Sequence, residues 1–175
     1  RPFQIKTKEK SLFTNSLIIA TGAKANRLEL KNEKKFWSAG ISACAICDGT
    51  TPQFRKEELA VVGGGDSACE EAVYLTKFGS HVHLIVRSNK LKASAAMADR
   101  VRSNTQITVH WETEIIDLQG DSWLKSVKLK QKDVEKNISL SVKGVFYAIG
   151  HSPNTGILKN QLNLDKSGYI ITEPG

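Results

Sequence analysis

Cys44 and Cys47, three residues apart and followed at once by Asp48, are the residues whose types and spacing most directly suggest chemistry. Sulfurs at i and i+3 can close a disulfide across one helical turn, and a thiol of such a pair becomes reactive when its pKa is lowered. Asp48 can exchange a proton with a leaving thiolate, although an acid there also serves as a helix or turn cap. The competing reading is half of a structural zinc site, which needs four ligands. The remainder offers only Cys69, in the middle of an expected helix, and four scattered histidines with no second paired spacing. No metal is therefore expected, and Cys69 reads as a small buried residue.

The second constellation is Gly63-Gly64-Gly65-Asp66-Ser67-Ala68, a G-x-G-x-x-A between an expected strand and an expected helix. Its first glycine permits a tight turn, its second lets a pyrophosphate approach the backbone, and Ala68 lets the helix pack close to the strand. The phosphates then meet the free N–H groups and positive dipole end of the helix. About 20 residues on, an NAD enzyme places an acid on the ribose 2′-hydroxyl. Here the following strand ends instead in Arg87-Ser88-Asn89-Lys90, with Lys92 close behind. An arginine fork suits a 2′-phosphate, so the expected nucleotide is NADPH rather than NADH.

The elements that must position these residues are legible from periodicity. Phe3, Ile5 and Thr7 alternate with polar residues and, with Leu12 and Phe13, suggest a hairpin; the run Leu17-Ile18-Ile19-Ala20-Thr21-Gly22 then reads as a buried strand. Residues 23–35 show no sustained period and read as a connector. Residues 59–62 suggest a short apolar strand and residues 66–78 a helix with Ala68, Ala72, Leu75 and Phe78 near one face, ended by Gly79. In residues 81–87, Val82, Leu84 and Val86 point inward and His81, His83 and Arg87 outward, with Ile85 the exception expected of a central strand. The whole is a βαβ unit. A helix over 91–102 and a strand over 107–110 follow. Period-two stretches at 113–118, 124–130 and 138–142, separated by turn-formers, predict a β-meander. Residues 144–150 form a last apolar strand, and 150–155 a turn.

Composition narrows the class. The 175 residues carry 25 Lys and Arg against 18 Asp and Glu, a formal charge of +7. The lysines are mixed with acids and lack interleaved aromatic stacking platforms, so nucleic acid is not expected as a partner. No run approaches the roughly 18 apolar residues of a membrane helix, so no membrane association is expected. An odd count of three cysteines, two of them close together, suits a reducing compartment such as the cytoplasm, or the chloroplast stroma in a plant. The chain has no initiator Met and enters a strand-like stretch within three residues, so it reads as an excised piece of something longer.

Together these residues resemble the low-molecular-weight, NADPH-dependent thioredoxin reductases. Cys44-Ala45-Ile46-Cys47-Asp48-Gly49 is similar to that family's redox motif, followed at similar spacing by Val61-Val62-Gly63-Gly64-Gly65-Asp66-Ser67-Ala68. The resemblance continues through Glu70-Glu71-Ala72, residues 83–94 and Gly150-His151-Ser152-Pro153-Asn154-Thr155, while residues 17–23 resemble the strand ending in Ala-Thr-Gly of the flavin domain. Details around Phe36-Trp37, the cysteine pair and Val86-Arg87 look most like the plant and cyanobacterial branch that carries a fused thioredoxin domain.

The resemblance implies an α/β, two-dinucleotide-binding-domain flavoprotein fold: a Rossmann-like NADPH-binding domain with a β-meander at 28–145, flanked by partial FAD-binding pieces at 1–27 and 146–175. It implies NADPH at Gly63, Gly64, Gly65, Asp66, Ser67, Ala68, Arg87, Ser88 and Lys92, and FAD beside Thr21, Gly22, Ile149 and Gly150. It implies a Cys44–Cys47 disulfide reduced through the flavin, Asp48 as the acid serving its thiolate, thioredoxin as a separate or fused partner, and a homodimer. Two departures matter. The family usually has a second arginine where Ser88 stands and an arginine where Lys92 stands, which weakens the expected NADPH selectivity. Its flavin domain also opens with its own G-x-G-x-x-G and ends with a second flavin-contacting segment, and these 175 residues contain neither. They are expected to bind FAD poorly alone and not to turn over. The alternatives are a non-catalytic nucleotide-binding module, which has no need of the cysteine pair, and the similar flavoprotein that feeds a peroxiredoxin.

Overall fold

The computed structural model describes residues 2–158 and 160–173; Arg1, Lys159, Pro174 and Gly175, which fall in the expected flavin pieces, lie outside the described residues. The alternating N-terminal stretch forms β1 (Phe3–Lys6) and β2 (Ser11–Thr14), an antiparallel hairpin in the register Phe3 opposite Thr14. Its turn is closed by Thr7, whose Oγ1 donates to Lys10 O and accepts from the Glu9 and Lys10 N–H groups. The connector contains β3 (Ala23–Ala25) and α1 (Glu33–Phe36), after which come β4 (Ile41–Ser42) and α2 (Ala45–Asp48). The βαβ unit is β5 (Glu58–Val62), α3 (Asp66–Leu75) and β6 (His81–Ile85). Then follow α4 (Ala95–Arg102), β7 (Ile107–His110), the meander β8 (Thr113–Gly120), β9 (Leu124–Gln131) and β10 (Ile138–Ser141), and finally β11 (Gly144–Tyr147) and β12 (His151–Pro153).

Five strands in the order β4-β11-β5-β6-β7 make one sheet, and every pairing in it is parallel. Parallel strands must be covered on both faces, and the alternation within β5 shows how. Leu59 and Val61 join Ala68, Cys69, Ala72, Leu75, Val82 and Leu84 in a core under the helices. Ala60 and Val62 join Ile85, Leu118, Leu124, Val127 and Leu129 in a second core under the meander. Each large side chain so buried contributes about 1.5–3 kcal/mol of transfer free energy. The meander is the connection from β7 back to β11, which enters the sheet between β4 and β5.

Two compact units result: residues 25–151, which hold this sheet, and residues 1–24 with 152–175. Within the smaller unit Asn154 holds residues 21–22, donating from Nδ2 to Thr21 O (3.0 Å) and from N to Gly22 O (2.9 Å). Thr155 donates to Gly168 O, and Asp165 Oδ1 accepts from the Ser167 and Tyr169 N–H groups to close a turn between the bridged residues Leu164 and Ile170.

Several expectations need correcting. Residues 17–22 are neither strand nor buried: Ile18 is 91% exposed, and none of the described strands pairs with them to satisfy their backbone groups. Residues 151–153 are not turn but β12, which pairs with β3. The first helix of the βαβ unit stops at Leu75, because Phe78 and Gly79 N–H both turn back to Leu75 O, and the second starts only at Ala95, after the loop that follows β6. His83 is not outward but 8% exposed, on a strand covered from both sides. Its Nε2 pairs with Glu58 Oε2 and its Nδ1 with His110 Nε2, each at 3.0 Å, so neither nitrogen is left unsatisfied.

Candidate functional site

β4 delivers the chain to Cys44, which caps the four-residue α2 with its sulfur accepting from Cys47 N–H at 3.2 Å. The two cysteines are closed as a disulfide with their Cα atoms 5.3 Å apart. Cys44 is half-buried, whereas Cys47 and Asp48 are exposed, so a sulfur of the pair is open to an incoming thiol or disulfide. Ser42, which the sequence reading did not single out, organises the segment. Its hydroxyl accepts from Cys44 N–H at 3.0 Å and donates to Asp48 Oδ2 at 2.5 Å, holding the carboxylate on the same short loop as the disulfide.

Two strands away, β5 ends in the glycine turn. Gly63 has φ +145°, open to glycine and few other residues, and a Cβ there would press into Ala148 O and lie 2.9 Å from Ala68 Cβ. Ala68 is fully buried where α3 meets the strand. Gly65 differs: it caps α3 in extended conformation, and a Cβ on it would meet nothing within 4 Å. The space before the N-terminus of the ten-residue α3 is therefore open. Asp66 and Ser67 are exposed there. Asp66 accepts from Ser94 N (2.9 Å) and Ser94 Oγ (2.7 Å), bonds that hold its carboxyl below the ordinary value.

Parallel register carries Arg87 to the same place, because Gly63 N–H donates to Ile85 O at the end of β6. Lys92 N–H donates to Gly64 O at 2.7 Å, so the loop after β6 folds back onto the turn. Arg87 and Lys92 are both exposed. Ser88 differs from the expectation of a phosphate donor in that its hydroxyl donates to Lys90 O within its own turn. Ile149 and Gly150 follow β11, where Asn26 donates from Nδ2 to Ile149 O and from N to Gly150 O. Thr21 and Gly22 belong to the smaller unit and are held by Asn154, as above. The cysteine pair, the glycine turn, Arg87 with Lys92, and Ile149-Gly150 thus each follow the carboxyl end of a strand of one parallel sheet, the edge at which such sheets bind ligands.

Sequence reasoning also missed Glu71 and Ser94. Glu71 carried a usable signal: an acid among Ala68, Ala72 and Leu75 falls beside the buried stripe of α3, where an ionised side chain is costly. Ser94 carried none, since its role depends on a loop returning to Asp66.

Comparison with known proteins agrees with this geometry. The family model described as pyridine nucleotide-disulphide oxidoreductase matches residues 2–175. NADPH-dependent thioredoxin reductase 3 of Arabidopsis thaliana is 51% identical over 99% of this chain and 33% of its own length. Thioredoxin reductase of Chlamydia pneumoniae is 49% identical over 100% of this chain and 57% of its own. The chain thus spans between a third and just over half of these relatives. The structure of thioredoxin reductase from Giardia duodenalis superposes with a TM-score of 0.87 at 40% identity, over 99% of this chain and 57% of that one. The expected α/β architecture of a two-dinucleotide-binding-domain flavoprotein is the one found. The chain belongs to the pyridine nucleotide-disulphide oxidoreductase family.

Proposed function

We propose that the protein is an NADPH-dependent thioredoxin-disulfide reductase in which Cys44 and Cys47 alternate between disulfide and dithiol. The observation that carries this is the placement of an accessible disulfide after β4 and an open dinucleotide-type turn after β5, at one edge of one sheet. Residues 28–145 are read as the NADPH-binding domain and residues 1–27 and 146–175 as pieces of an FAD-binding domain.

The chain's residues fit NADPH. The open space at Gly65 admits a pyrophosphate to the N–H groups of α3, and exposed Arg87 and Lys92 offer charge to a 2′-phosphate. Ser88, engaged with Lys90, adds little to that selectivity. For FAD, the smaller unit offers Thr21 and Gly22, whose carbonyls Asn154 steadies, and the larger unit, taken by itself, offers Ile149 and Gly150, whose carbonyls Asn26 steadies. When bound, these groups supply a hydride and its relay as an electron pair.

Reduction of Cys44–Cys47 breaks the S–S bond with two electrons and takes up two protons. Exposure favours Cys47 as the sulfur that meets a partner disulfide; Cys44 then attacks the mixed disulfide, restores the Cys44–Cys47 bond and releases the partner as a dithiol. Asp48, steadied by Ser42, relays the proton that Cys44 gives up on attack to the leaving thiolate, with no net proton gained or lost. The partner is a thioredoxin, separate or fused, and the working protein is a homodimer in a reducing compartment.

Thioredoxin-dependent oxidation of NADPH by the complete protein tests the reading. Cys44→Ser and Cys47→Ser are each expected to reduce turnover to background while NADPH binding persists; turnover above half of normal in either would refute it. Residues 1–175 alone are expected to hold FAD poorly, and a stoichiometric flavin spectrum from them would overturn that part.

A further inference from the structure

Two contacts define how α2 lies along α3. A Cβ on Gly49, which closes α2, would come within 2.6 Å of Leu75 Cδ2. One helical turn earlier on α3, the carboxyl of Glu71 meets the backbone N–H of Ala45, the residue after Cys44. Glu71 therefore lies behind the end of α2 that carries the disulfide. Its Oε2 is buried and has no hydrogen-bond partner among the described residues. An ionised carboxylate in that state is costly, since the Ala45 N–H replaces only part of the water it gave up. Burial raises its pKa to about 7, against the Ala45 N–H, which lowers it, and with the charge of Glu70, which adds to the rise.

On the other elements packed on α3, the charged and titratable groups are engaged with other partners. β5 and β6 present Leu59, Val61, Val82 and Leu84 to the helix, while Glu58 and His83 pair with each other and His81 bonds Thr108. On α4, the exposed Asp99 and Arg102 pair together and the exposed Arg100 reaches Met97. On α2, Asp48 is bonded to Ser42. Cys44 and Cys47 are the remaining groups of α2 and its cap that gain charge during turnover.

We propose that Glu71 is a positioning residue that takes up a proton when the Cys44–Cys47 disulfide is reduced. The proposal rests on the reading of that pair as the redox centre. The disulfide with ionised Glu71 accepts two electrons, one proton at a sulfur and one proton at Glu71, giving a thiol, a thiolate and a neutral carboxyl. The electrons come from NADPH in turnover or from a dithiol reductant in vitro. A thiolate beside a carboxylate would place two like charges behind a partly buried helix end, and the proton removes one of them. Oxidation by an incoming disulfide reverses the step, and Glu71 returns its proton.

The test is the pH profile of thiol reactivity in the complete protein, reduced with dithiothreitol and alkylated with iodoacetamide between about pH 6 and 9. The unmutated protein is expected to show two coupled inflections. Glu71→Gln should show one, with alkylation about three- to tenfold faster above about pH 7, where an ionised Glu71 otherwise repels the thiolate and raises the thiol pKa. A purely structural glutamate would leave the number of inflections unchanged, and equal profiles would refute the proposal. Should Glu71→Gln fail to fold, infrared difference spectra of the unmutated protein and of Asp48→Asn decide. Reduction at about pH 8 must produce a protonated-carboxyl band in both, and its absence overturns the assignment. If dithiothreitol and glutathione disulfide cannot cycle the pair at all, the redox reading itself fails and the proposal with it.

Discussion

Alanine at Gly65 and alanine at Gly63 should separate nucleotide binding from stability. At Gly65 the backbone is extended and a Cβ meets nothing within 4 Å, so the substitution adds no clash. Alanine is a poorer N-cap than glycine by about 0.5–1 kcal/mol, and it returns about 0.4–1 kcal/mol by restricting the unfolded chain. The net change in stability is within about 0.5 kcal/mol. The added methyl stands where the pyrophosphate must approach α3. Losing one charge-assisted hydrogen bond there costs about 1.5–3 kcal/mol, or roughly ten- to a hundredfold in NADPH affinity. At Gly63 the same methyl combines a backbone held at φ +145° with contacts on Ala148 O and Ala68 Cβ. Strain of about 1–3 kcal/mol and overpacking of about 1–3 kcal/mol sum to about 2–6 kcal/mol, a large share of a usual domain stability of about 5–15 kcal/mol. Urea unfolding and NADPH titration by nicotinamide fluorescence read the two effects separately. Gly65→Ala binding NADPH within about twofold of normal would refute phosphate approach at this turn, and a Gly65→Ala stability loss above about 1 kcal/mol would refute the reading of the space as open.

Arg87→Ala should weaken NADPH by about tenfold and leave NADH nearly unchanged, because only the 2′-phosphate loses a charged donor; an unchanged ratio of the two affinities would refute the role. Opening the Cys44–Cys47 disulfide with dithiothreitol should cost no more than about 2 kcal/mol in urea unfolding, because the closed loop is very short; a larger loss would mean the pair is structural. Burial, then the neighbouring His83, holds the His81 and His110 imidazoles below their ordinary 6.5. At these two sites the folded chain binds fewer protons than the unfolded chain between the lowered values and 6.5, so their contribution to stability falls as pH drops through that window, whereas the raised pKa of Glu71 acts in the opposite direction there. Urea midpoints of Glu71→Gln between about pH 7.5 and 5 isolate the histidines, and a pH-independent midpoint in that variant would refute their role.

How much of this was legible depends on whether a signal is local. β5, α3, β6, β7 and the meander were readable because a period of two or 3.6 runs unbroken between glycine punctuation, and Gly63 to Gly65 with Ala68 state their own turn. The rest depended on partners distant in sequence. His83 reads as outward by alternation, yet it is enclosed because Glu58 and His110 arrive on neighbouring strands to bond both nitrogens. Residues 151–153 read as a turn from Pro153, yet they pair with β3. Leu17-Ile18-Ile19 carry as strong an apolar signal as β5, and they are 46%, 91% and 37% exposed.

Such a run states a preference for burial and says nothing about which residues must supply it. β5 has β11 and β6 within this chain, whereas none of the described strands pairs with residues 17–19. The same distinction explains Glu71. An acid beside the buried stripe of α3 announces that something compensates it, but the compensation comes from Ala45, 26 positions earlier, and is incomplete because Oε2 still lacks a partner among the described residues. Incomplete compensation beside a bond that gains two electrons is a different condition from incomplete compensation elsewhere. It makes the charge of the carboxyl depend on the state of the disulfide, a coupling that the burial of either group alone could not disclose.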